Sequence, residues 1–246
     1  MGRVLKLRAG SYLVKCDALD VVVTRLDTGP DSARAVLPLL SNVERDRASR
    51  FAFERDRRRF VIARGRLRQL LGVRLNVAPE SVQLVYGPRG KPALAAAFAG
   101  SGLRFNSSRS GEVAAYAFAY DREIGVDVEH VRVIPDADAI SAQMFSPREN
   151  AAYLALSPHH RPLGFFQCWT RKEAFIKALG LGLYYPLDRF DVSLAPGDPA
   201  RILRVESTAG DECPWALYSF SPGAGLIGAV VVQKRAMQTL DEHSAA

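Results

Sequence analysis

Cysteine is scarce in this chain. Its 246 residues carry three, Cys16, Cys168 and Cys213, odd in number and far apart. None stands in a C-x-x-C or other metal-ligand spacing, so neither a disulfide framework nor a zinc site is expected, and reduced thiols in a cytosolic protein are. His130, His159, His160 and His243 also lack ligand spacing, and His159-His160 beside Pro158 reads as loop. Long apolar runs are missing as well. Leu226 to Val232 is too short to span a bilayer and suits a buried strand. Met1 to Val14 has scattered Lys and Arg without a continuous apolar stretch, so no signal peptide is expected there, and Lys6 stands where a myristoylation signal needs Ser or Thr. These absences exclude a disulfide-stapled secreted scaffold, a zinc-centred enzyme and a membrane-spanning protein. What is left, 48% hydrophobic and 24% charged, is the composition of a folded globular chain.

Its length allows one large domain or two fused halves. The net charge of +7 is unevenly placed: ten arginines fall between Arg45 and Arg68. Such a field attracts polyanions, whether nucleic acid, a polyphosphate cofactor or an acidic protein, and composition does not choose among them.

Hydrophobic periodicity predicts strands at Leu19 to Val23, Leu103 to Ser107, Val113 to Tyr120, Gly125 to Glu129, Tyr218 to Phe220 and Leu226 to Gln233. It predicts helices over Asp56 to Leu71, Pro147 to Leu156 and Leu163 to Leu179, the first ended by Gly72 and the last by Gly180. Gly87 to Pro92 reads as a turn, Asp121-Arg122 as a hairpin turn and Ala236 to Ala246 as a frayed tail. There is a faint repeat. Leu40-Ser41-Asn42-Val43-Glu44 is echoed by Phe145-Ser146-Pro147-Arg148-Glu149, an offset of 105, and the helix ends Leu71-Gly72 and Leu179-Gly180 are 108 apart. Two related α+β halves meeting near Tyr120 are one explanation; chance is the other, since Leu-Gly helix ends are common.

Asp127 and Glu129 stand two apart on a predicted strand and therefore share a face. Two such carboxylates repel unless a cation lies between them. On spacing alone, an edge strand with solvated acids is the simpler reading. Trp169, Glu173 and Lys177 follow at i, i+4 and i+8, a stripe on one helix, which could be a surface Glu-Lys pair or the wall of a cleft. Three carboxylates from a strand and a helix are suited to holding one Mg²⁺, which points to phosphate chemistry.

Order and spacing lift the cleft reading. From about Ser41 to Leu194 the chain resembles the surfactin-type 4′-phosphopantetheinyl transferases. The resemblance lies in Gly90-Lys91-Pro92, Phe105-Asn106-Ser107-Ser108-Arg109-Ser110, Gly125-Val126-Asp127-Val128-Glu129, Phe145 to Glu149 and Trp169 to Gly182. It implies an α+β, pseudo-dimeric fold of two similar halves, residues 1–120 with the nucleotide contacts and 121–246 with the metal carboxylates and carrier docking, the active site between them. It implies a cytoplasmic monomer that moves the 4′-phosphopantetheine arm of coenzyme A onto a serine of an acyl, peptidyl or aryl carrier protein, with release of 3′,5′-ADP. Asp127, Glu129 and Glu173 would ligate Mg²⁺, with Mn²⁺ accepted by the same oxygens. Asp127, Glu173 and Lys177 would be catalytic, Glu173 taking the serine proton and Lys177 contacting phosphate. Gly90, Lys91, Pro92, Ser108, Arg109, Arg47 and Arg59 would hold coenzyme A, with Arg64 a weaker candidate. Arg132, Met144, Phe145 and Arg148, between the two motif segments, are docking candidates for an acidic carrier, and fit ordinary surface and core as well.

The chain departs from the family in two places. Arg109 stands where the family has histidine, and a guanidinium grips phosphate bidentately without titrating near neutrality. Glu44 stands where a lysine is often found, which puts nucleotide contacts there in doubt. Two other readings stay open: a nucleic-acid-binding protein using the Arg45 to Arg68 stretch, and a coenzyme A-binding relative without catalysis.

Overall fold

Two long helices, each with its own antiparallel sheet, organise the chain. The structure, a computed structural model, describes residues 3–6, 11–16, 19–206 and 213–235; the tail expected at Ala236 to Ala246 lies outside them. In chain order come β1 (Arg3–Lys6), β2 (Ser11–Cys16), β3 (Leu19–Arg25), α1 (Pro30–Val36), α2 (Asn42–Ser49), α3 (Glu54–Leu75), β4 (Leu84–Tyr86), β5 (Pro92–Leu94), β6 (Leu103–Ser110), β7 (Val113–Tyr120) and β8 (Ile124–His130). There follow α4 (Ala137–Met144), α5 (Pro147–Leu154), α6 (Arg161–Leu179), β9 (Phe190–Val192), β10 (Ile202–Val205), β11 (Trp215–Phe220) and β12 (Leu226–Gln233).

One sheet runs β1-β2-β3-β7-β6 and another β11-β12-β8, every neighbouring pair antiparallel. The run β3-β7-β6 has its counterpart in β8-β12-β11, with α3 belonging to the first half and α6 to the second. The fold is thus α+β with two sheet-and-helix halves. Alternation along the strands divides their side chains between two layers. On β7, Ala114, Tyr116 and Phe118 face the core beneath α3, whereas Val113, Ala115, Ala117 and Ala119 join Val21 and Val23 in a second layer. That second layer also receives Ile124, Val126 and Val128 of β8 and Val230 and Val232 of β12. The two sheets therefore share one apolar interior.

The faint repeat has a physical basis. Ser41 and Ser146 each cap a short helix in a reciprocal box with the glutamate three residues on, Glu44 or Glu149. Each glutamate is buried and also binds a buried cation of the long helix: Glu44 with Arg68 at 2.7 Å, Glu149 with Lys172 at 2.7 Å. Each cation then donates to carbonyls beyond its helix, Arg68 to Val82 and Lys172 to Leu187 and Phe190. Glu44 is accordingly a structural cap and the counter-ion of Arg68 in this chain.

Two expectations are corrected. Gly72 does not end its helix; it lies inside α3, where a side chain would meet the Val77 carbonyl and Pro79, and the stop falls at left-handed Asn76. Asp121-Arg122 is not a hairpin turn, because β7 and β8 enter different sheets; the hairpin turn is at Gly111-Glu112, between β6 and β7. Gly180, at φ 73°, does cap α6.

Candidate functional site

Strand β8 lies directly on α6. The close approach is made at Gly125, where a side chain would collide with the Ala174 carbonyl and the Ala178 amide. Val126 and Val128 point into the shared core, so Asp127 and Glu129 turn the other way, toward the helix face that carries Glu173 and Lys177. Asp127 is only 3% exposed. Its Oδ1 accepts from Lys177 Nζ at 2.6 Å and from Ser108 Oγ at 2.6 Å. Its Oδ2 is buried with no hydrogen-bond partner. Lys177 Nζ also lies 3.3 Å from Ser108 Oγ and 3.9 Å from Glu173 Oε2. Burial raises the Glu173 carboxyl above the ordinary carboxylate range; Lys177 opposes the shift, and the charges on Asp127 and Glu129 add to it.

The other wall is β6. Asn106 Oδ1 accepts from the Val126 amide at 3.0 Å, and Ser110 Oγ donates to Glu129 Oε2 at 2.6 Å. Asn106, Ser108 and Ser110, alternating along β6, thus pin three successive points of β8 and fix both carboxylates. The sequence names these residues through the family motif; their shared face follows from a strand's period of two.

Among the described residues no three His, Cys, Asp or Glu side chains stand close enough together to hold a metal ion as they are placed; Lys177 supplies the positive charge at Asp127. The donor set still suits a hard divalent cation. All three groups are carboxylates, one is buried with an unpaired oxygen, and a second has its proton affinity raised by burial, with the charges on Asp127 and Glu129 adding to it against the pull of Lys177.

On the opposite face of β6, Arg109 reaches toward α3. Its guanidinium lies 5.7 Å from the Phe60 ring, with Arg47 at 5.5 Å and Arg64 at 5.8 Å from the same ring. Among the described residues, none of the three is ion-paired to a carboxylate. Desolvation, with repulsion from Arg64 and Arg47, holds the Arg109 pKa below the usual guanidinium range. Three like charges around one ring form a local positive field of the kind that attracts an anion. Arg64, the weaker candidate by sequence, belongs to this cluster. Arg59 is held instead by a bidentate pair with Asp27, at 2.8 and 2.7 Å.

Gly90, at φ 78°, makes the β4–β5 turn, and Pro92 begins β5. Lys91 donates to Glu123 Oε2 at 3.0 Å, the Ala178 carbonyl at 3.0 Å and the Ile124 carbonyl at 3.4 Å. These contacts use an ammonium's three donors, so in this structure Lys91 is a tether to β8 and to the C-terminal end of α6 rather than an open nucleotide contact. On the same turn, Arg89 stacks 3.6 Å over the ring of exposed Tyr184.

The basic stretch does not form one open face. Arg68 is buried against Glu44, Arg59 binds Asp27, and Arg57 and Arg55 sit beside Glu54 and Asp56. Of the docking candidates, Phe145 is withdrawn: it is buried against Tyr153 and Phe165. Met144 is partly buried on the same core. Arg148 and Arg132 are exposed, Arg132 lying 3.6 Å from Glu129 Oε2. Sequence reading assigned nothing to Arg171, which is buried and donates to Ser193 and Ser219, burial pulling its pKa down to about 10.

Residues 123–229 match the family model described as the 4′-phosphopantetheinyl transferase superfamily, and residues 27–120 match 4′-phosphopantetheinyl transferase, N-terminal. The chain is 37% identical over 207 residues to the 4′-phosphopantetheinyl transferase HetI of Nostoc sp., covering 84% of each chain. It is 29% identical over 186 residues to the human L-aminoadipate-semialdehyde dehydrogenase-phosphopantetheinyl transferase, covering 70% of this chain and 60% of that one. Among solved structures, holo-[acyl-carrier-protein] synthase of Thermotoga maritima aligns over 46% of this chain and 64% of its own, at 20% identity and a TM-score of 0.34.

Proposed function

This chain belongs to the 4′-phosphopantetheinyl transferase superfamily, and on that premise we propose that it moves the 4′-phosphopantetheine arm of coenzyme A onto a serine of an acyl, peptidyl or aryl carrier protein. The observation that carries this reading is the buried Asp127, with its unpaired oxygen, set against Glu173 and Lys177. The proposed boundary between the halves is 120/121, so that one chain supplies both walls of the site and acts as a cytoplasmic monomer.

Asp127, Glu129 and Glu173 would hold Mg²⁺ or Mn²⁺, which when bound supplies charge neutralisation at the pyrophosphate. Arg47, Arg64 and Arg109 would hold a phosphate of the nucleotide end, with Ser108 on the opposite face of β6, beside Asp127, and Gly90 and Pro92 lining the β4–β5 turn. Lys177 would move onto an oxygen of the pyrophosphate. The carrier serine attacks the β-phosphorus in line; a P–O bond forms to the serine, and the bond to the bridging oxygen breaks, releasing 3′,5′-ADP. Glu173 accepts the hydroxyl proton, a role suited to a carboxyl whose burial raises its proton affinity. A holo-[acyl-carrier-protein] synthase activity is one form of this reaction.

The carrier would dock beside Glu129, where a hollow of about 200 Å³ is lined by Arg132, Val133, Ile134, Tyr153 and Phe165. Val133 is strongly exposed, and Arg132 and Arg148 supply charge complementary to an acidic helix. Charge reversal at both arginines is expected to weaken carrier affinity at least about tenfold, about 1.4 kcal/mol, without altering coenzyme A binding; unchanged carrier affinity would dismiss this surface.

The deciding experiment is the intact mass of an apo carrier protein after incubation with this protein, coenzyme A and Mg²⁺, with and without chelator. A chelator-sensitive gain of one phosphopantetheine arm supports the transferase. No gain across several carriers, with coenzyme A still bound, favours a binding-only relative; no coenzyme A binding either returns the question to nucleic acid.

A further inference from the structure

We propose that Lys177 is the resident cation of the carboxylate site, occupying in the free protein the electrostatic place of a divalent ion and yielding it when a phosphate ligand draws the lysine away. This rests on the preceding reading and adds an order to it: ion binding is weak until coenzyme A arrives.

The buried Asp127 carboxylate needs a positive partner, because an uncompensated charge at that depth is strongly unfavourable. Lys177 Nζ provides it at 2.6 Å, and the same ammonium reaches toward Glu173 Oε2 at 3.9 Å and Ser108 Oγ at 3.3 Å. One lysine thereby compensates carboxylates from both the strand and the helix. A divalent ion on Asp127 would stand within a few ångströms of this ammonium, and like charges that close repel strongly in a partly buried site. Ion and lysine therefore compete for Asp127.

Lys177 is built to leave. It sits in the last turn of α6 on a flexible stem, and its side chain is 28% exposed, whereas that of Asp127 is 4% exposed. An entering pyrophosphate offers the ammonium a stronger anionic partner. Moving there uncovers Asp127 Oδ1 beside the unpaired Oδ2, completing the face a divalent ion would use. By linkage, the phosphate ligand tightens the ion by the same factor by which the ion tightens the ligand.

The test is direct Mn²⁺ binding, read by the electron paramagnetic resonance of the free ion, with and without coenzyme A. Wild type, Lys177→Met, Lys177→Arg and Asp127→Asn are compared, and Asp127→Asn with coenzyme A corrects for ion bound by the ligand alone. Without coenzyme A, Lys177→Met is expected to bind Mn²⁺ about tenfold more tightly than wild type, a coupling of ordinary size. Lys177→Arg, which keeps the charge, should stay near wild type, and Asp127→Asn should lose the ion. Coenzyme A should tighten Mn²⁺ in wild type by about tenfold more than in Lys177→Met, whose ion gains only the direct attraction of the pyrophosphate. Equal or weaker Mn²⁺ binding by folded Lys177→Met overturns the proposal; Lys177→Gln serves if the methionine variant fails to fold. Carrier modification that persists alongside that negative result leaves the transferase reading standing. Absence of carrier modification and of coenzyme A binding in wild type would remove the transferase reading itself.

Discussion

Single residues set the site's geometry through what they omit as much as through what they carry. Gly125 is the clearest case, since the missing side chain lets β8 touch the backbone of α6 and so brings Asp127 to Lys177. Gly125→Ala should destabilise the fold by about 1–3 kcal/mol, as overpacking does, and should cost transfer more than stability, because Asp127 and Glu173 part; thermal melting and the carrier-mass assay together check this. Arg109 offers a second case. In Arg109→His the imidazole would inherit the repulsion of Arg64 and Arg47, which, like burial, favours its neutral form. The variant should therefore bind coenzyme A well only below its lowered pKa and lose affinity as pH rises through about 6.5 or lower, while wild type, charged throughout, stays flat; Michaelis constants measured between pH 5.5 and 8 would show it. The carboxylates and Lys177 were legible in the sequence because their motif names them. Which arginines gather at Phe60 was not: Arg59 and Arg64 lie on the same helix, and only the position of Asp27 shows that the first is already taken. The contacts of Lys91 were illegible for a similar reason, since its partners, Glu123, Ile124 and Ala178, are remote in sequence.

At the scale of elements, both short helices α2 and α5 are fastened to their long partners by a capping glutamate that doubles as a buried counter-ion. The cap was visible as the Ser-x-x-Glu echo, but the ion pair was not, because Arg68 and Lys172 sit in strongly charged or amphipathic segments where solvent exposure is the ordinary expectation. Breaking one partner leaves the other charged and buried, so Lys172→Met should cost about 3–5 kcal/mol. Replacing Glu149 and Lys172 together by methionine should cost less than the two single changes added, since no lone charge remains. The sign of the pH dependence follows from Glu149, whose carboxyl burial pushes up against the pull of Lys172. Without Lys172 the upward push is opposed only by the backbone amides of Ser146 and Val192, and with its main opponent gone the folded state should hold the proton more tightly than the unfolded one. Stability of Lys172→Met should then be greatest below the ordinary carboxylate pKa and fall as pH rises through the raised folded value. Urea midpoints at pH 5 and pH 8, with wild type alongside, check this; equal losses at both pH values would mean that Glu149 is not the group left uncompensated.

The whole molecule is two halves that carry different charged groups: the arginine cluster lies on α2, α3 and β6, while the carboxylates and Lys177 lie on β8 and α6. Their relation was legible only faintly, because the matching strands share a pattern of burial and little wording. What holds the halves together is apolar. Val21, Val23, Ala115 and Ala117 of one sheet meet Val126, Val128, Val230 and Val232 of the other, all essentially buried. Asn106 and Lys91 then cross the junction with hydrogen bonds to Val126 and Ala178. Neither sheet can bury that face by itself, so the chain should unfold in a single cooperative transition, its calorimetric and van't Hoff enthalpies agreeing. Cutting it at the proposed 120/121 boundary should give fragments that expose this face and fail to melt cooperatively when expressed apart. Co-expression should restore both the transition and carrier modification, since the severed link lies between β7 and β8 and crosses neither the arginine cluster nor the carboxylates. Two separate melting transitions in the intact chain would mean that the halves are independent domains, and the site would then owe its geometry to the hydrogen bonds along β6 and β8 rather than to the shared core.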